Sequence, residues 1–154
     1  MEQAWETPSL EEIPKISRMH VGAMEQSDDD MVWVQAGMHH VLLRVVGRKS
    51  GKEHKVALPF WRDANGDRIV VASYAGADEH PAWFLNLQDR KANPEVLVRV
   101  QGGKQFWSRA DILDGDDYRR TWEALTADRA WYTDYQAKTD RRIPLVRLPE
   151  TRPA

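Results

Sequence analysis

Short apolar runs, each closed by glycine, asparagine or proline, constrain this chain more than any other feature. Strand-like runs fall at about 41–47, 55–62, 68–74, 95–101, 104–113 and 143–148. Asn65-Gly66 joins the second to the third, a strong hairpin signal, and Gly102-Gly103 turns the fourth into the fifth. Six short strands with few long helices predict an α+β chain built on a small, mostly antiparallel barrel with helices over its ends and side. The same pattern also fits another α+β meander.

The helical segments are few. Ser9 and Glu12 have the spacing of a capping box, and a helix is expected from about Pro14 to Met24. Ile13, Ile16, Met19, His20, Ala23 and Met24 fall roughly on one face, and Gly22 weakens the helix. Asp28-Asp29-Asp30 reads as a solvated turn or helix N-cap region. A helix over 80–90 carries Trp83, Phe84 and Leu87 on one face and leaves Leu85 off it. Helices over about 116–126 and 128–139 carry Tyr118, Trp122 and Leu125, then Trp131, Tyr132 and Tyr135. The division expected is an N-terminal arm and helix over 1–40, loose over residues 1–10, a barrel domain over 41–149 and a frayed tail over 150–154.

Composition narrows the chemistry. A chain of 154 residues fits one domain with a real core. Its net charge of -2 offers no global attraction for nucleic acid or anionic membrane. The absence of cysteine excludes disulfides, thiol catalysis and Cys-ligated metals. His39 and His40 point to opposite faces of a strand, and no His, Asp and Glu cluster has metal spacing, so no metal is expected. The N-terminus lacks the charge and apolar pattern of a signal peptide, and no run is long enough to span a bilayer. A soluble cytoplasmic protein is the expectation. Seven tryptophans suit either a core or a pocket for a flat aromatic ligand.

The candidate site starts at Gly47-Arg48-Lys49-Ser50-Gly51, a tight basic turn between two strands, with Lys52 and Lys55 close behind. Its glycines allow close backbone approach, and its backbone N–H groups, guanidinium, ammonium and hydroxyl form an anion cradle. The bland alternative is a solvated hairpin. Downstream come Ser73, Gly76, Pro81-Ala82-Trp83-Phe84-Leu85-Asn86-Leu87, Asn93-Pro94, Asp134-Tyr135-Gln136, Thr139-Asp140-Arg141 and Ile143-Pro144. With the basic turn, that ordered set resembles the deazaflavin-dependent nitroreductase family over about Val41 to Pro149.

The resemblance implies a six-stranded split β-barrel and a reductase that uses reduced coenzyme F-420, a deazaflavin with a phosphodiester and an oligoglutamate tail. It implies that Arg48, Lys49, Ser50 and Gly51 hold the anionic end, with Lys55 near the family's second basic position. Pro59, Ser73, Tyr74, Ala75, Gly76, Ala82 and Trp83 would then contact the cofactor. Tyr74 stands where relatives often carry lysine, and Phe60 and Trp61 occupy the region of a family pocket tyrosine. Tyr132 and Tyr135 match positions on the substrate side, and they and Ser73 are the candidate catalytic donors. The implied reaction is hydride transfer to an electron-poor small-molecule acceptor, a quinone, activated alkene or nitroaromatic. Two alternatives stand beside it: a split-barrel oxidoreductase that uses FMN, and a carrier that binds the deazaflavin without turnover. Split barrels often pair, yet the family includes monomers, so the oligomeric state is open.

Overall fold

The structure is a computed structural model that describes residues 9–154. The loose arm expected over residues 1–10 falls largely outside the described residues. The chain is α+β, as expected, but its antiparallel sheet has nine strands among the described residues rather than six. They are β1 (Val34–Gln35), β2 (Met38–Val46), β3 (Glu53–Arg62), β4 (Arg68–Val71), β5 (Val96–Arg99), β6 (Gln105–Ser108), β7 (Asp111–Ile112), β8 (Leu145–Leu148) and β9 (Arg152–Pro153). The helices are α1 (Glu12–Gln26), α2 (Asp30–Trp33), α3 (Ala82–Gln88), α4 (Gly115–Asp128) and α5 (Trp131–Ala137), and Tyr74–Gly76 is a 3-10 turn.

The extra strands come from three places. The run expected over 104–113 divides into β6 and β7, which pair with different neighbours, β5 and β8. Before β2, a tight turn at Ala36-Gly37, both with positive φ, adds β1. The tail expected to fray instead contributes β9, which pairs with β6 and brings Arg152 within 3.0 Å of Glu95. The described part of the N-terminal segment joins the sheet, since β1 pairs with β2 and α1 packs on β3.

The sheet runs β7-β8-β4-β3-β2-β5-β6-β9. It curls because β3 changes partners midway. Residues 53–59 pair with β2, and Phe60, Trp61 and Arg62 pair with β4. Side-chain alternation then sorts residues between two faces. Val41, Leu43 and Val45 of β2 face inward with Leu58, Val70, Val98 and Phe106, and α3 closes this core with Trp83, Phe84 and Leu87. Leu42 faces outward beneath α1 and α2, against Val21, Met24 and Trp33. Ile69 and Leu145 face outward beneath α4 and α5, against Tyr118, Leu125 and Tyr132. Strands buried on both faces leave little polar alternation to read.

Helix α1 opens as its spacing suggested: the Ser9 hydroxyl donates to Glu12 Oε1 at 2.7 Å, and Glu12 N donates back to Ser9 Oγ at 3.4 Å. Its buried face differs from expectation. Val21 and Met24 are buried while Ile16 and Met19 are exposed. The helix is turned so that Ser17 Oγ can accept from Ala57 N of β3 at 3.2 Å. Among the described residues no helix is long and apolar enough to cross a membrane.

One side chain fastens the core to the ligand-facing end. Asn93 is 1% exposed. Its amide donates to Val46 O and to Asn86 O, both at 2.8 Å, and its Oδ1 accepts from Val46 N at 2.7 Å. It therefore joins the end of β2 to the end of α3 across sequence. Asn93→Ala leaves three buried backbone groups without these partners. The expected loss is roughly 2–4 kcal/mol, read as a lower denaturant midpoint with an unchanged slope.

Candidate functional site

The turn between β2 and β3 is closed by Gly47 N donating to Lys52 O at 2.8 Å and Gly51 N donating to Gly47 O at 2.9 Å. Gly51 has φ +70 and supplies the left-handed step. At Gly47 the demand is steric: a Cβ there would lie 2.5 Å from Ser50 Oγ and 2.8 Å from His54 Nε2. The missing side chain lets Ser50 and His54 converge, with Oγ and Nε2 3.5 Å apart. Asn86 Oδ1 on α3 accepts from Arg48 N at 3.1 Å and from Arg48 Nη1 at 2.8 Å. The basic turn is thereby registered on α3, and Lys49 has no ion-pair partner among the described residues.

A second loop faces it. After β4 the chain takes two left-handed non-glycine residues, Tyr74 at φ 46 and Ala75 at φ 55, then Gly76 at φ 82. Such backbone is uncommon and needs outside support. The support is Arg141. Its guanidinium donates to Ala77 O at 2.7 Å, Ser73 O at 2.8 Å and Ala72 O at 3.2 Å. Gly76 serves contact with α5, since a Cβ there would sit 2.7 Å from Tyr135 O.

Between these loops lies a cleft of about 720 Å³. Val45, Val56 and Leu58 line its floor, α3 contributes Ala82 and Trp83, and α5 contributes Trp131, Tyr132 and Tyr135. Ile13, Pro14, Ser17 and Arg18 of α1 form another wall. The lining holds four cationic side chains, Arg18, Arg48, Lys49 and Lys55, and no carboxylate. That is a local concentration of positive charge on a chain of net charge -2.

The structure brings together most residues singled out from sequence. Arg48, Lys49, Ser50, Lys55, Pro59, Ser73, Tyr74, Ala75, Ala82, Trp83, Tyr132 and Tyr135 all line the cleft. Gly51 and Gly76 do not; they shape the two loops. Phe60 and Trp61 do not line it either. They lie on the half of β3 that pairs with β4. Phe60 packs with the inner core beneath the Arg68 guanidinium, while Trp61 points outward and donates to Asp128 Oδ2 at 3.0 Å.

Strand parity also separates Lys55 from His54. His54 opposes Val45, whose side chain faces inward, whereas Lys55 opposes Arg44. Lys55 Nζ meets Glu25 Oε2 of α1 at 2.6 Å, so its charge is largely engaged. The inward basic position of β3 belongs to His54, which sequence reasoning passed over. The signal was present: His54, Val56 and Leu58 share one face at period two. The α1 wall had no comparable local signal, because it depends on how a distant helix docks.

The tyrosines occupy different environments. Tyr132 is 4% exposed, and burial pushes its hydroxyl above the ordinary phenol value, with Arg129 pulling the other way. Tyr135 is half-buried and meets Tyr132 edge-on, ring centres 6.0 Å apart. Lys138 Nζ lies 5.6 Å from the centre of the Tyr135 ring. Tyr132 therefore stays protonated at neutral pH and can serve as a donor.

The floor suits a flat apolar group and the cationic rim suits an attached anionic tail, so the donor set fits a deazaflavin with a phosphodiester. Comparison with known proteins agrees. Residues 16–150 match the family described as F420H(2)-dependent quinone reductase. An F420H(2)-dependent quinone reductase of Mycobacterium tuberculosis is 36% identical over 111 residues, spanning 70% of this chain and 71% of that protein. A solved F420-H2 dependent reductase aligns with TM-score 0.59 and 35% identity, covering 71% of this chain and 93% of that one. Another solved relative, described as a domain-swapped dimer, has TM-score 0.59 and 30% identity over 86% of this chain and 94% of its own. These likenesses place the chain in the F420H(2)-dependent quinone reductase family.

Proposed function

We propose that the cleft binds reduced coenzyme F-420 and that the protein is a reductase of electron-poor small molecules, with quinones the first choice of acceptor. The observation that carries this reading is the lining itself: an apolar floor beside four cationic side chains and no carboxylate. When bound, the cofactor supplies a two-electron reducing equivalent from its flat ring.

Every other contribution comes from the chain. Arg48, Lys49 and the Ser50 hydroxyl hold phosphate or carboxylate groups, each contact worth about 1.5–3 kcal/mol where water is excluded and less at the rim. Lys55 contributes less, because Glu25 already engages it. His54 adds an inward-facing ring beside Ser50. Ser73, Tyr74, Ala75, Ala82 and Trp83 line the cleft and would border the flat group when it is bound. Residues of α1 and α5 wall the cleft and would hold cofactor and acceptor close together. Tyr132, Tyr135 and Ser73 line the cleft and would be the hydroxyl donors toward the acceptor. A buried phenol that holds its proton at neutral pH donates to an oxygen that gains charge on reduction, a contribution of typically ~10²–10⁴-fold.

A spectrophotometric screen tests the function. Reduced coenzyme F-420 should be oxidised when the protein is mixed with quinones, and the screen should extend to enones and nitroaromatics. Tight binding without acceptor-dependent oxidation would identify a carrier, and preferential binding of FMN would overturn the cofactor assignment. Lys49→Ala should weaken cofactor binding roughly five- to tenfold at low salt, with little change in thermal stability. The difference should shrink at high salt, since exposed charges are screened. Tyr132→Phe or Tyr135→Phe should lower turnover about tenfold or more while cofactor affinity holds. Wild-type turnover in the double variant would assign both hydroxyls to packing.

A further inference from the structure

The Ser73–Ala77 loop borders the cleft in a conformation its own sequence does not favour. Tyr74 and Ala75 are both left-handed without being glycine. The loop makes two turn hydrogen bonds of its own, Gly76 N to Ser73 O at 2.9 Å and Ala77 N to Tyr74 O at 3.0 Å. The remaining support is external. One guanidinium, that of Arg141, spans carbonyls at both ends of the loop: Ala72 and Ser73 before the left-handed pair, Ala77 after it. Its Nη1 also lies 3.1 Å from His80 Nδ1.

That last contact fixes a protonation state. A guanidinium only donates, so His80 Nδ1 must accept, and the imidazole must be the neutral tautomer with its proton on Nε2. The His80 ring is held in place by Phe84 of α3, ring centres 5.0 Å apart. A proton on Nδ1 would remove the acceptor and set two cations against each other.

We propose that Arg141 and His80 act as a positioning pair: neutral His80 keeps Arg141 across both ends of the loop, and protonation of His80 releases the loop and weakens ligand binding in the cleft. The proposal rests on the cleft reading given above for its second half only.

Charges of both signs stand around the pair, and burial with the facing Arg141 decides the direction at His80. Asp78, immediately after the loop, is the acidic group acting on Arg141. Helix α3 carries no charged residue. Lys138, just after α5, packs at Gly76 and adds positive charge on that side. Burial, then the facing Arg141, holds the His80 imidazole below its ordinary value. The folded protein therefore binds fewer protons here than the unfolded chain. The contribution is present above the ordinary imidazole value of about 6.5 and is lost as pH falls through the lowered one.

The test needs a readout that packing alone would not move. Hydrogen–deuterium exchange over residues 72–77, corrected for the intrinsic effect of pH, is followed from about pH 7.5 downward until NMR shows the His80 ring protonated, which lies below the ordinary imidazole value. Titration calorimetry with oxidised coenzyme F-420 runs at the two ends of that series. Wild-type protein should exchange faster in this segment at the lower pH and bind roughly five- to tenfold more weakly, the size of one lost hydrogen bond. His80→Asn keeps an acceptor that does not titrate, and it should abolish both pH effects. Arg141→Lys cannot span three carbonyls and should exchange faster at both pH values. Unchanged pH dependence in His80→Asn, or wild-type exchange in Arg141→Lys, would overturn the pair. Should either variant fail to fold, an NMR titration of the wild type decides. The amides of Ser73 to Ala77 should move with the His80 ring, and amides that stay fixed while the ring titrates would overturn the proposal. The exchange arm needs no cofactor. If coenzyme F-420 binds at neither pH while exchange still responds, the functional reading fails and the pair stands.

Discussion

The architecture depends on an exchange of partners along one strand. β3 gives its first residues, 53–59, to β2 and its last three to β4. The changeover falls at Pro59, which has no N–H to donate. From that point the sheet opens, and the two halves lean together over a common aliphatic core that includes Leu43, Val70 and Val98. An uninterrupted ladder along β3 would give a flatter sheet with no mouth for the basic turn to occupy.

Two asparagines carry this arrangement into the site. Asn93 ties β2 to α3, and Asn86 on α3 holds Arg48 through both its backbone and its guanidinium. The cationic rim therefore inherits the stiffness of the core. On the far side of the sheet, Arg147 plays a comparable mechanical part. It gathers Asp63, Asp111 and Asp117 at 3.3, 3.1 and 3.0 Å, linking a hairpin, a strand and α4. The Arg147 guanidinium holds the Asp117 carboxyl below its ordinary range. Acid therefore weakens this junction as pH falls through the lowered Asp117 value.

Much of this was legible in the chain, because the signals were local. Asn65-Gly66 and Gly102-Gly103 mark real hairpin turns, and Trp83, Phe84 and Leu87 are all buried from one face of α3. Ser9 and Glu12 bond reciprocally at the start of α1. The differences share another cause. Position along the chain puts Lys55 and Phe60 close to the site, but strand parity and the partner exchange of β3 decide which way each side chain faces. The strands β1, β7 and β9 are two residues each, too short for periodicity to register, and they exist because a neighbouring strand offers an open ladder. The α1 wall and the reach of Arg141 depend on packing between distant segments, which no local pattern encodes.

The short ninth strand has a consequence for how copies of this molecule meet. It lies at one end of the sheet, beyond β6, and one of its two residues is Pro153. Proline offers no donor to an incoming strand, and the neighbouring Arg152 is charged and clasped by Glu95. The opposite end is β7, again two residues long, with Asp111 at its start. Among the described residues neither margin presents a long run of unpaired peptide groups. Each end of the sheet is thus a poor template for the addition of a further strand.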